Sequence, residues 1–99
     1  MELYLIYGIS RDDGDYSDPD AAIDRYYYYR KSGSVWVSRY DIRQNVVNKV
    51  KSRAVEAHTF RNGRMGARCE VKVSHAGIEY LKTVPNNDPT DNLSSLPEM

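Results

Sequence analysis

Only one stretch of this chain repeats its apolar residues at helical spacing, and that limits what the rest can fold into. Ile42, Val46, Val50 and Ala54 recur every four residues, Val47 widens the stripe, and Arg43, Gln44, Asn48, Lys49, Lys51 and Ser52 cover the remaining surface. The pattern predicts one amphipathic helix over about 41–53, apolar toward a core and polar toward water. Asp41, three residues before Gln44, reads as a capping box at its start, with Ser38 as a competing cap.

On both sides of that helix the period drops to two. Leu3, Leu5, Tyr7 and Ile9 predict a first strand with one apolar face, residues 23–31 a second, and "SVWVS" after the Ser32-Gly33 turn a third. Beyond the helix, "AVEAHTF" predicts a fourth strand and the Asn62-Gly63 turn leads into a fifth. There Ala67, Cys69, Val71 and Val73 alternate with Arg68, Glu70, Lys72 and Ser74, and "IEYLKTV" completes the set. Three strands, a helix and three strands predict an α+β fold: one antiparallel sheet of about five to six strands with the helix packed on one face. Such a sheet leaves its other face wet. At 99 residues the chain is a single domain over 1–99, with an Asp-rich acidic loop at 11–22. Residues 84–99 show no period and form either a tail pinned by Leu93 and Leu96 or a loose end.

Formal net charge is zero, yet its distribution is uneven. Residues 1–24 hold seven acids against one base, residues 25–82 thirteen bases against four acids, and residues 83–99 three acids. A basic surface flanked by acidic segments is one outcome; acidic ends folded back on the basic middle are the other. A single cysteine excludes an internal disulfide framework, and no apolar stretch has the length of a membrane span or signal. A cytoplasmic protein without a membrane role is expected.

The residues that carry chemistry are sparse. His58, His75 and Cys69 lack the tight paired spacing of zinc ligands, so no metal site is expected. "DDGDYSDPD" places Gly14 where an EF-hand would need an acid, and turn chemistry accounts for the same residues. No serine stands in a nucleophile elbow, and "NGRMG" lacks the Lys-Ser/Thr of a phosphate loop. Neither an enzyme nor a cofactor is expected.

Binding is left, and "IDRYYYYRKSG" is its main signal. A strand alternates faces, so the run splits into two pairs. Tyr27 and Tyr29 share a face with Ile23, Arg25 and Lys31; Tyr26 and Tyr28 share the other with Asp24 and Arg30. Because Ile23 should be buried, Tyr26 and Tyr28 are the expected exposed pair, and with Arg30 and Lys31 they form the expected protein-binding patch. Exposed tyrosines contribute large rigid area at small entropy cost. The alternative is nucleic-acid binding by the basic middle, residues 25–72, through Arg25, Arg43, Lys49, Lys51, Arg53, Arg61 and Arg64, in which bases stack on tyrosine. The acidic loop beside the strand favours a protein partner over phosphates.

Three segments, "VWVSRYDIRQNVVNKV", "GARCEVKVSHAGIEYLKT" and "DNLSSLPEM", resemble a family of small bacterial and phage domains known as domain of unknown function 3892. The matching positions are Trp36 and Ser38, Tyr80 to Thr83, Asp91 to Leu93, and Leu96-Pro97. Met99 stands where that family ends in an aromatic residue, and the stretch 11–31 lies outside its pattern. The resemblance implies no catalytic residue and no cofactor, and it implies that the tail belongs to the fold. The family's occurrence on mobile elements implies an accessory role, one version being inhibition of a host defence factor. Oligomeric state stays open, with edge-strand pairing of two copies among the options.

Overall fold

The computed structural model of the chain describes residues 1–12, 18–85 and 92–99. Six strands, β1 (Glu2–Arg11), β2 (Ile23–Ser32), β3 (Val35–Ile42), β4 (Val55–Arg61), β5 (Arg64–Val73) and β6 (Glu79–Thr83), form one sheet in the order β3-β2-β1-β4-β5-β6. One helix, α1 (Arg43–Lys51), joins β3 to β4. Two of the tight turns show how the residues set them. Gly33 takes φ 62° between β2 and β3, and Asn62 and Gly63 take φ 53° and 76° between β4 and β5.

The sheet is mixed, not antiparallel throughout. β1 and β4 run parallel, with Glu2 beside Val55 and Ile6 beside Thr59. The helix is the reason. It carries the chain from the edge strand β3 across the sheet to the far side of β1, and such a crossover delivers the next strand parallel to the one it left.

α1 is also shorter than its apolar stripe. The chain remains in β3 through Ile42, so Asp41 is a strand residue and Ile42, 52% exposed, points away from the core. No side chain caps the helix start; the Asp41 carboxylate instead accepts from the Ile42 N–H at 3.1 Å and the Asn45 amide at 2.9 Å. Val46 and Val47 are fully buried and Val50 partly so. They pack over Tyr4, Ile6, Ile9, Tyr26, Tyr28, Val55, Ala57, Cys69 and Leu81 in a single core between helix and sheet.

Two β-bulges decide which residues enter that core. Between Ile6 and Gly8 the first strand carries an extra residue, Tyr7, opposite β2; between Ser10 and Arg11 the second strand carries one, Asp24. Each bulge reverses the alternation beyond it. Tyr4, Ile6 and Ile9 therefore all face the helix, while Leu3, Leu5 and Tyr7 belong to the opposite face, contrary to the simple period-two grouping of Leu3, Leu5, Tyr7 and Ile9.

Residues 92–99 lie against the sheet. Beyond Ile6 the strand β1 has lost β4 as neighbour, and the C-terminal stretch takes its place: the Ile9 N–H donates to the Pro97 carbonyl at 3.0 Å and the Met99 N–H to the Ile9 carbonyl at 2.9 Å. Leu93 and Leu96 are buried in the core. Arg11 donates to the Ser94 carbonyl, and Arg61 to the Ser95 hydroxyl and carbonyl. Gly8 packs against the Met99 side chain: a Cβ there would lie 2.6 Å from Met99 Cγ and 2.7 Å from its Sδ, so that exposed side chain would have to turn aside. Gly8→Ala is expected to displace the Met99 side chain and so loosen this clasp by no more than about 1 kcal/mol. Amide exchange at Ile9 and Met99 should accelerate while that of β2 stays slow; unchanged exchange at Met99 would contradict the assignment. Of the acidic loop and the tail, residues 13–17 and 86–91 lie outside the described residues, and with them Asp13, Gly14 and Asp15.

Candidate functional site

The structure reverses the tyrosine pairs. Tyr26 is 0% and Tyr28 4% exposed. The bulged Asp24 lets Ile23 and Tyr26 both point inward, which defeats the inference from Ile23 that Tyr26 and Tyr28 are the wet pair. The Tyr26 hydroxyl accepts from the Leu81 N–H at 3.3 Å, and burial drives its pKa far above the ordinary tyrosine value. Tyr28 stacks on Tyr4 with centroids 4.0 Å apart, and the Lys49 ammonium donates to the Tyr4 hydroxyl at 3.1 Å, closing the stack from the helix. Arg30 shares this inner face at the sheet margin and pairs with Glu2 at 2.9 Å. Of the expected patch, only Lys31 lies on the open side.

That open side is where the aromatic residues gather. Among the described residues no helix covers it, and it collects Tyr7 from β1, Tyr27 and Tyr29 from β2, Trp36 and Tyr40 from β3, and Phe60 from β4. Register explains the grouping: Tyr27 stands opposite Tyr40, Tyr29 opposite Ser38, and Lys31 opposite Trp36. The rings touch in series. Tyr7 stacks on Tyr29 at 4.5 Å and tilts toward Tyr27 at 6.5 Å; Tyr27 meets Tyr40 at 5.7 Å; Phe60 meets Tyr29 edge-on at 5.8 Å. Hydroxyls pin the array, Tyr7 with Ser38 Oγ at 2.6 Å and Tyr27 with Ser10 Oγ at 3.3 Å. Hydrogen bonds to Ser10 and Arg25 hold the Tyr27 hydroxyl below the usual tyrosine pKa.

Two cations bracket the array. The Arg25 guanidinium lies 5.2 Å from the Tyr40 ring centre and the Lys31 ammonium 5.9 Å from that of Trp36. Between Leu5, Tyr29, Trp36 and Phe60 the surface dips into an apolar hollow of about 330 Å³. Trp36 is 43% and Tyr40 63% exposed, and neighbouring Ile42 extends the apolar surface toward the start of the helix. A contiguous patch of this kind on a small domain marks a contact surface more often than scattered exposed residues do.

Of the basic residues of the alternative reading, Lys51 and Arg53 line one hollow of about 460 Å³ with Arg68, beside Glu56 and Glu70, and the others are dispersed. Arg43 is spent on the Ala21 and Ile23 carbonyls at 2.8 and 3.2 Å, Lys49 on Tyr4, and Lys51 on Glu79 at 2.6 Å. Arg61 holds the C-terminal stretch, while Arg53 ends the helix on the covered side and Arg64 sits at the β4–β5 turn. Only Arg25 joins the aromatic face. Acidic residues of the first segment do fold onto the basic middle, Glu2 on Arg30 and Asp18 on Lys82 at 2.5 Å, while Glu98 pairs with Arg11 at 3.7 Å and so joins the two acidic ends. Asp20 is buried beside that last pair; burial, then the Asp18 charge, raises its pKa.

Among the described residues no cluster of three or more His, Cys, Asp or Glu side chains could hold a metal ion, and no helix is long and apolar enough to cross a membrane. Cys69 is buried in the core, and His58 bridges Glu56 and the Gly66 carbonyl on the strand surface. Sequence reasoning missed Tyr7, Trp36, Tyr40 and Phe60 as site residues. The alternation Trp36, Ser38, Tyr40 carried a usable signal; Tyr7 was hidden by its bulge.

A protein-family model described as "Protein of unknown function (DUF3892)" matches residues 28–97. No curated protein and no solved structure matches the chain.

Proposed function

The chain belongs to the DUF3892 family, whose function is unknown, and we propose that it is a small non-catalytic interaction domain that binds a protein partner through the open aromatic face of its sheet. One observation carries this reading: on the open face five rings from four strands touch in series, and Trp36 joins them across an apolar hollow. The partner it suits presents an apolar or aromatic side chain to the hollow of Leu5, Tyr29, Trp36 and Phe60, with carboxylates placed for Arg25 and Lys31. Protein is favoured over nucleic acid because ring faces are already taken by other rings and by the two cations. Of the remaining bases, Lys51 and Arg53 share a hollow with Arg68 but also with Glu56 and Glu70, whose carboxylates oppose a phosphate backbone, and the others are spread over the helix and the far turn.

Affinity capture from the cells that carry the gene tests the reading with three baits: the natural chain, the double variant Trp36→Ala/Tyr40→Ala, and Asn48→Ala, which alters the exposed helix on the other side. A protein species kept by the natural chain and by Asn48→Ala but lost by the double variant is the expected result. Equal retention by all three baits, or loss with Asn48→Ala alone, overturns it.

A further inference from the structure

β3 is an edge strand of eight residues with no proline and no bulge, and it carries Trp36 and Tyr40, the two most exposed rings of the aromatic face. Natural sheets usually blunt such an edge with charge, proline or a bulge, because its free N–H and C=O groups are a template for another strand. Two side-chain contacts show which groups point outward. Arg39 donates to the Ser38 carbonyl at 2.9 Å, and Asp41 accepts from the Ile42 N–H at 3.1 Å. Antiparallel ladders alternate, so Trp36, Ser38, Tyr40 and Ile42 aim their backbone groups away from β2, while Val35, Val37, Arg39 and Asp41 bond to it. The same four outward residues place their side chains on the open face.

We infer that β3 pairs antiparallel with β3 of a second copy of this chain, about a twofold axis at Ser38. An isologous contact needs a sequence that is complementary to its own reverse, and this one is. With Ser38 opposite Ser38, Trp36 of each copy lies beside Tyr40 of the other, Val37 beside Arg39, and Val35 beside Asp41. No like charges stand directly opposite, and the two Trp–Tyr pairs are the kind of cross-strand contact that stabilises a ladder. Shifting the register by two residues in one direction sets Arg39 against Arg39. Shifting it as far again drives the partner strand into the start of α1. Pairing at Ser38 joins the two sheets edge to edge and makes the two aromatic faces continuous, so each copy contributes Tyr40 to the margin of its partner's Trp36. The Arg39 and Asp41 contacts that now cover the outward groups are solvent-exposed and formed by adjacent residues, so the incoming strand replaces them at small cost.

Sedimentation and light scattering across a concentration series test this with the whole chain. The mass should climb from 11.4 kDa toward twice that value. Ser38→Pro removes an outward N–H without touching the bonds to β2, and should hold the protein at the monomer mass with its circular dichroism unchanged. If that variant fails to fold, Ser38→Cys decides instead. A hydrogen-bonded pair sits about 5.5 Å apart at Cα, within the roughly 4.4–6.8 Å span of a disulfide. Mild oxidation should link Ser38→Cys chains rapidly and leave a control Val73→Cys, exposed on β5 away from the edge, unlinked. A mass fixed at the monomer value through the highest soluble concentration overturns the inference, as does crosslinking no faster at position 38 than at 73.

Discussion

Tyr26→Ala is expected to destabilise the fold by about 3–5 kcal/mol, the range for truncating a large aromatic residue in a packed core. Tyr40→Ala, on the adjacent strand and the open face, should shift stability by no more than about 0.5 kcal/mol. Domains of this kind hold only about 5–15 kcal/mol in total, so the first variant unfolds at much lower denaturant and the second does not. Tyr26 loses contacts on every side: it is fully buried among Ile23, Leu81 and the helix valines, and its hydroxyl satisfies the Leu81 amide. Tyr26→Phe separates the two contributions, since it keeps the ring and leaves one buried N–H unpaired, for about 1–3 kcal/mol. Urea unfolding followed by circular dichroism measures all three. Equal costs at positions 26 and 40 would contradict the assignment of inner and outer faces.

The second large effect concerns affinity. Once a partner is captured, Trp36→Ala and Tyr40→Ala should each weaken it by about 2 kcal/mol or more, about 30-fold in Kd, because buried aromatic anchors dominate interface energetics. Trp36 lines the apolar hollow beside Lys31, and Tyr40 stands exposed beside Arg25, where a partner can desolvate both. Arg25→Ala and Lys31→Ala act differently. As rim charges they should slow association and reduce its dependence on salt, with smaller effects on dissociation. Titration calorimetry and surface-binding kinetics with the purified pair read both patterns. If Trp36→Ala and Tyr40→Ala bind as the natural chain does, the open face is not the contact surface.

The sequence made some of this legible, and the exceptions have physical causes. The stripe of Val46, Val47 and Val50 located the helix, and the alternation of Ala67, Cys69 and Val71 located β5, because both patterns follow directly from burial on one side. Parity failed where one residue was inserted. Asp24 and Tyr7 each bulge out of a ladder, and nothing in a single strand's composition announces a bulge that depends on its partner's register. Tyr26 and Tyr28 were therefore assigned to water, and Ile9 was grouped with Leu5. The parallel pairing of β1 and β4 was present in the strand–helix–strand order but was obscured by hairpin-like spacing elsewhere. The basic middle was read correctly as a run of charge, yet its spread over both faces depends on long-range ion pairs such as Arg30 with Glu2 and Lys82 with Asp18. The aromatic face itself needed four strands in register before its rings could be seen as one surface.

Trp36 is the single tryptophan of the chain and lies on that surface. Its emission therefore reports on the open face alone, and acrylamide quenching in the presence and absence of the captured partner is the most direct test of the central claim. The account predicts a quenchable tryptophan in the free protein that becomes blue-shifted and shielded as partner saturates. Unchanged quenching of Trp36 at full occupancy would place the contact elsewhere and contradict it.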